Sequence, residues 1–158
     1  MPDPTADVVA LWRLQHAYAD IVTRRAWPEL HDLFLATTTV LVDTVTAPAR
    51  TFTGPDELGG FIGAAIERYD HFAFVILNAV VDVEGDDRDA ATGRIFMTEI
   101  RHEAATDDWH QAYGLYQDDY QRVDGRWWFA ARRYRSLART GPVPAVPGLP
   151  SDLPPASR

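Results

Sequence analysis

The sequence predicts an α+β domain, with helices from its N-terminal half packed on one face of a curved, largely antiparallel sheet. Three observations carry this. An amphipathic helix opens the chain, and the elements then run helix, strand, helix and four long strands. The stretch Ala112 to Tyr134 spells out a long hairpin closed by Asp124-Gly125, a pair suited to a tight primed turn. Helices and strands segregated along a chain make an α+β layer rather than an alternating parallel sheet.

Val8, Leu11, Leu14, Tyr18 and Ile21 or Val22 recur at helical spacing, which predicts a helix over about 5–25. Ala26-Trp27-Pro28 interrupts it, and Pro28 suits the first position of a short second helix running to about Leu35. Thr37 to Thr46 is β-branched and alternating, and Arg50 to Thr53 is a short partner strand. Thr53-Gly54-Pro55-Asp56-Glu57 has the order of a helix start. The helix that follows, Leu58 to about Arg68, puts Leu58, Phe61, Ile62, Ala65 and Ile66 on one face. Phe72 to Glu84 and Ala91 to Glu103 read as strands joined by a turn over Asp86 to Asp89. Residues 1–138 form the domain. The tail, 139–158, is extended or disordered, with six prolines in the 18 residues from Gly141 onward.

Composition excludes several function classes. At 158 residues the chain is one domain with room for a core. It has no cysteine and no lysine, which removes thiolate nucleophiles, Cys-type metal sites and Schiff-base chemistry. A net charge of −8 argues against nucleic acid. The six arginines between Arg122 and Arg139 read as a solvated face pairing with aspartates, with an anionic ligand as the alternative. No run of about 18 apolar residues exists to span a membrane, and the acidic N-terminus is unlike a secretory signal. A cytoplasmic location is the expectation.

Tyr18, Trp27, Leu30 and Leu33 in the first two helices, Gly54, Asn78 and Gly93 form an ordered set of signatures. Gly114-x-Tyr116-x-Asp118, Asp124-Gly125-x-Trp127 and Arg133 complete it. In this order they resemble the SnoaL-like branch of the nuclear-transport-factor-2-like superfamily, over about residues 6–137. Polyketide cyclases, scytalone dehydratase, bile-acid dehydratase and ketosteroid isomerase belong to that superfamily. The resemblance implies a cone-shaped sheet with three helices, an enclosed pocket for a small hydrophobic molecule, and acid–base chemistry without cofactor or metal. Fold alone does not fix activity.

The same resemblance implies site residues. Tyr18 takes the place of a helix-one tyrosine pointing into the cone, able to hydrogen-bond a substrate carbonyl; otherwise it is a core tyrosine. Five residues on, the dehydratases carry an aspartate where this chain has Thr23. Their catalytic histidine falls at Phe74, with His71 three residues earlier and turned inward only if the strand bulges. Glu99 occupies the position of a catalytic acid and shares a strand face with Ile95, Met97 and Arg101; its alternative role is an ion pair with Arg101 or with a cross-strand arginine. Asp43, inside VLVDTV, resembles the inward base of ketosteroid isomerases. Phe74, Met97 and Trp27 offer apolar surface to a substrate, and Asn78, Tyr116 and Asp118 offer polar groups. Arg133 is expected to pair with an acid on the adjacent strand, such as Asp118. Trp127, Trp128 and Phe129 place large aromatics on both sheet faces, which predicts burial against helices on one side and a homodimer on the other. Two readings follow: a cofactor-independent lyase, isomerase or cyclase acting on a hydrophobic oxygenated ring, or a non-catalytic binding or accessory cone.

Overall fold

A computed structural model describes residues 3–85 and 87–156. Helix α1 spans Thr5–Arg24 and buries the predicted stripe of Leu11, Leu14, Tyr18, Ile21 and Val22, together with Gln15. Arg25 ends it in a left-handed conformation, φ 59°. Pro28 then opens a 3₁₀ helix, Trp27–Asp32, instead of the predicted helix to Leu35. The Leu33 N–H closes a tight bond on the Leu30 carbonyl (3.0 Å), and Phe34 leaves at once to stack on Phe129, 4.7 Å between centroids. Strand β1 therefore begins at Phe34 and runs to Asp43.

Strand β2, Arg50–Thr53, pairs antiparallel with β1 and feeds helix α2, Gly54–Ile66. Glu57 fastens this start by accepting a hydrogen bond from the Thr53 N–H at 2.7 Å. Gly54 sits at φ +76°, where an added Cβ would meet the Ala36 carbonyl oxygen at 3.0 Å.

Four long strands follow: β3 (His71–Glu84), β4 (Ala90–Glu103), β5 (Asp108–Val123) and β6 (Arg126–Arg139). Asp86, in the predicted turn between β3 and β4, lies outside the described residues. At the β5–β6 turn both Asp124 (φ 51°) and Gly125 (φ 74°) have positive φ, as a type I′ turn requires.

The sheet order is β2-β1-β6-β5-β4-β3. It is mixed, because β1 runs parallel to β6 while every other pair is antiparallel. Bulges interrupt the register between Ile76 and Asn78, and twice between β5 and β6. Each extra residue bends its strand and adds twist, which curls the sheet around α1 and α2. Tyr18, Phe34, Phe74, Ile95, Tyr120 and Phe129 fill the concave side.

Beyond β6 the chain turns back. Ala145 bridges Arg139, the Gly148 N–H donates to the Leu137 carbonyl at 3.0 Å, and Pro154 accepts a hydrogen bond from Arg94. The proline-rich segment thus lies extended over the outer face of its own sheet. Among the described residues no helix is long and apolar enough to cross a membrane.

Candidate active site

A cavity of about 240 Å³ lies between α2 and the concave sheet. The face predicted for α2 forms one wall entirely: Leu58, Phe61, Ile62, Ala65 and Ile66 all line it. Val40 and Val42 of β1 and Phe74 of β3 continue the apolar surface. Leu58, Ile66, Val40 and Phe74 also belong to the packed core, so the same residues close the core and line the chamber.

The chamber's polar groups converge at one end. Glu99 is its only carboxylate, accompanied by Tyr18, Tyr116 and Tyr134. Glu99 and Arg101, two apart on β4, project to the same side and form an ion pair, with both side chains mostly shielded from solvent. Burial pushes the Tyr18, Tyr116 and Tyr134 phenols above their ordinary pKa, and the nearby Glu99 charge adds to the rise in each. All three therefore stay protonated and able to donate at neutral pH.

Beneath these phenols lies a buried charge network. Arg132 and Asp118, both fully buried side chains and direct partners across β5 and β6, bond through Nε to Oδ1 at 2.8 Å and NH2 to Oδ2 at 3.0 Å. Gln15 of α1 joins them, accepting from Arg132 at 2.7 Å and donating to Asp118 at 2.6 Å. The guanidinium lies 4.3 Å from the Tyr18 ring centroid and 3.9 Å from that of Tyr116. Its positive charge opposes the burial-driven rise in the Tyr18 pKa, so it strengthens that phenol as a donor.

Of the sequence candidates, the structure brings Tyr18, Glu99, Phe74 and Tyr116 together around the chamber. The others lie elsewhere. The expectation that a bulge turns His71 inward is corrected: the bulge falls after Ile76, beyond both His71 and Phe74. His71 stays exposed on the outer face, 5.5 Å from the Trp109 ring. Asp43 also faces outward, bonded to Arg135 at 3.2 Å, because Val40, Val42 and Thr44 take the inward positions. Asn78 is exposed at the bulge. Trp27 packs on α2, its side chain over Gly59 and Gly63, where no Cβ intervenes. Met97 is fully buried against Gly114, and Asp118 is consumed by Arg132. Arg133, expected on Asp118, pairs instead with Asp119 on the exposed face.

The Glu99–Arg101 pair is the alternative the sequence offers for Glu99, while sequence reasoning missed Arg132 and Tyr134 as site components. Strand alternation from Glu99 identifies Arg101; the other two need the position of a bulge in β6, which leaves no mark in the sequence. Among the described residues, no group of three or more His, Asp or Glu side chains is placed to hold a metal ion.

This curved mixed sheet around a chamber, with helices packed on its concave side, is a nuclear-transport-factor-2-like cone. A family model for the SnoaL-like domain matches residues 3–133, and the chain belongs to that family. Comparison with proteins of curated function finds no significant match. Among solved structures, a scytalone dehydratase-like protein from Novosphingobium aromaticivorans is similar at 21% identity. Its TM-score is 0.73, with 90% of this chain and 93% of that one covered. The LinA-type3 hexachlorocyclohexane dehydrochlorinase of Novosphingobium barchaimii is similar at 18% identity and TM-score 0.74, over 96% and 97%. At such identities the likeness speaks for the fold.

Proposed function

We propose that the protein is a cofactor-independent lyase or isomerase acting on a small oxygenated ring compound, with Glu99 as the base. The observation that carries this reading is a single carboxylate, paired with Arg101, among the described residues lining a largely apolar chamber, accompanied there by the phenols of Tyr18, Tyr116 and Tyr134. Glu99 takes a proton from a carbon next to a substrate carbonyl. Tyr18, Tyr116 or Tyr134 donates to the oxygen on which negative charge develops, and Arg132 reinforces Tyr18 and Tyr116 from below. Ring-elimination chemistry named for the neighbours, dehydration and dehydrochlorination, is compatible with such a base. The chamber is at or below the small end of ligand sites, which run about 300–1,000 Å³. That favours one or two rings over a four-ring steroid.

The test is turnover of a panel of cyclic ketones and β-hydroxy ketones, followed by loss of absorbance. Glu99→Gln is expected to lower the rate at least 100-fold, on the order seen for a positioned acid–base group, and Tyr18→Phe to lower it less. Both are expected to keep the far-UV spectrum. Full activity in both variants overturns the assignment.

A second reading, a binding cone without catalysis, is favoured by one specific contact. The Thr23 hydroxyl oxygen accepts a hydrogen bond from the Phe74 N–H at 3.0 Å, so the two positions that hold aspartate and histidine in the dehydratases adjoin and carry neither. Ligand binding with no turnover across the panel selects this reading. Either way a homodimer is proposed, because Val75, Leu77, Trp109 and Tyr113 expose apolar surface on β3 and β5; sedimentation velocity checks it.

A further inference from the structure

The chamber adjoins a second hollow. Four residues at the chamber's mouth, Arg68, Tyr69, Arg101 and Arg139, also line this hollow, of about 400 Å³. Its remaining walls come from Thr46, His110 and the first residues of the tail, Thr140, Pro142 and Val143. The tail is built into this wall: Gly141, at φ +109°, lies so close to His110 that a Cβ would meet its ring at 2.8 Å. The Val143 carbonyl accepts from Arg139 Nε at 3.0 Å.

We infer that this vestibule is an anion subsite, and that the natural ligand is an amphipathic molecule with its ring in the chamber and a carboxylate or similar anion in the vestibule. This deepens the proposed function and rests on its assignment of the chamber as the ligand site. Charge points to it. Arg68, Arg101 and Arg139 face only two carboxylates: Glu99 pairs with Arg101, and Glu103 lies 3.7 Å from Arg68. Arg139 has no carboxylate partner among the described residues, bonding instead to the Thr46 hydroxyl and the Val143 carbonyl. Unfilled polar valence points the same way. Arg101 Nε is buried with no hydrogen-bond partner, a costly state that a ligand oxygen would relieve; His110 Nε2 likewise makes no hydrogen bond, with the Glu103 carboxylate 3.7 Å away. An acidic protein of net charge −8 repels anions at long range, so a local excess of guanidinium is what such a ligand needs.

The experiment is calorimetric titration with 2-naphthoate and its neutral isostere 2-naphthamide, on the full chain. The carboxylate is expected to bind about tenfold tighter or more, a ratio that one charge-assisted contact supplies. Arg139→Gln, a change at a partly exposed side chain that leaves the buried network intact, is expected to bring the ratio close to one by weakening the naphthoate more than the amide. Raised salt is expected to shrink the ratio in the wild type. Equal binding of the two probes, a ratio unmoved by Arg139→Gln, or no binding of the naphthoate overturns the subsite. If the ratio is absent while turnover still depends on Glu99, the vestibule alone is wrong and the chamber assignment stands.

Discussion

Asp118 and Asp119 are neighbours on one strand, yet their substitution is expected to differ severalfold in cost. Asp118 and Arg132 have 0% exposed side chains; Asp119 and Arg133, on the opposite face, are 44% and 46% exposed. Asp118→Asn leaves the Arg132 guanidinium buried without a counter-charge, between the Tyr18 and Tyr116 rings and Gln15. Removing one partner of a buried pair costs about 3–5 kcal/mol, a large part of a typical domain stability of roughly 5–15 kcal/mol. For a chain of this size that corresponds to a fall in Tm of about 10 °C or more. Asp119→Asn breaks a pair that solvent already screens, and is expected to cost less than about 1 kcal/mol.

Urea unfolding of the two variants, read by tryptophan fluorescence, measures both values. A third variant sharpens the reasoning. Replacing the pair together, Asp118→Leu with Arg132→Met, removes the stranded charge and is expected to cost less than Asp118→Asn alone. Equal losses for the two aspartates, or a double variant as costly as the sum of its singles, refutes the view that an uncompensated buried charge dominates here.

His71→Ala is expected to leave turnover and ligand binding unchanged, and stability within about 0.5 kcal/mol, since the ring is exposed and outside the chamber; a lost activity in the same ketone assay places it in the site after all. Gly114→Ala puts a methyl 2.2 Å from a Tyr134 ring carbon and 2.9 Å from the Met97 sulfur, so it is expected to cost about 1–3 kcal/mol and to displace Tyr134 in the chamber; unchanged melting and ligand affinity count against that packing. His102, hydrogen-bonded by Asp70 and Asp107, has its pKa raised, and Asp70 has its pKa lowered by the same contact. The stabilisation is therefore full below the unfolded histidine value of about 6.5, fades as pH rises through the raised one, and is also lost in acid as Asp70 protonates. Denaturation midpoints for wild type and Asp70→Asn between pH 5 and 9 are expected to converge at the alkaline end.

The sequence reveals elements with a one-sided pattern and hides those that are apolar on both sides. The stripe of α1 and the cavity wall of α2 are legible because helical spacing leaves one apolar face. Asp124-Gly125 is legible because few residue pairs accept two positive φ values. In VLVDTV both faces are apolar, so nothing local decides whether Asp43 or Val42 turns inward. Its parallel partner β6 decides it, and that pairing is remote in sequence. The extra residue that β6 inserts between Phe129 and Ala131 shifts the partners that follow by one, so that Arg132 rather than Ala131 stands opposite Asp118.

The absent histidine and aspartate were visible in the sequence, but their meaning depends on a cross-strand pairing that was not. Phe74 and Glu99 are direct partners on β3 and β4. The carboxylate therefore stands one strand, about 5 Å, from the position vacated by the histidine. Thr23 meanwhile serves the backbone of Phe74 in place of orienting an imidazole. On the proposed assignment, Glu99 is a base moved across one rung of the ladder, reaching the same chamber from its neighbouring wall. Arg101, which pairs with that carboxylate, also lines the vestibule. An anion arriving in the vestibule then competes with Glu99 for Arg101, which couples ligand charge to the freedom of the base. The chain's two departures from the dehydratase pattern and its basic vestibule are on this argument parts of one rearrangement.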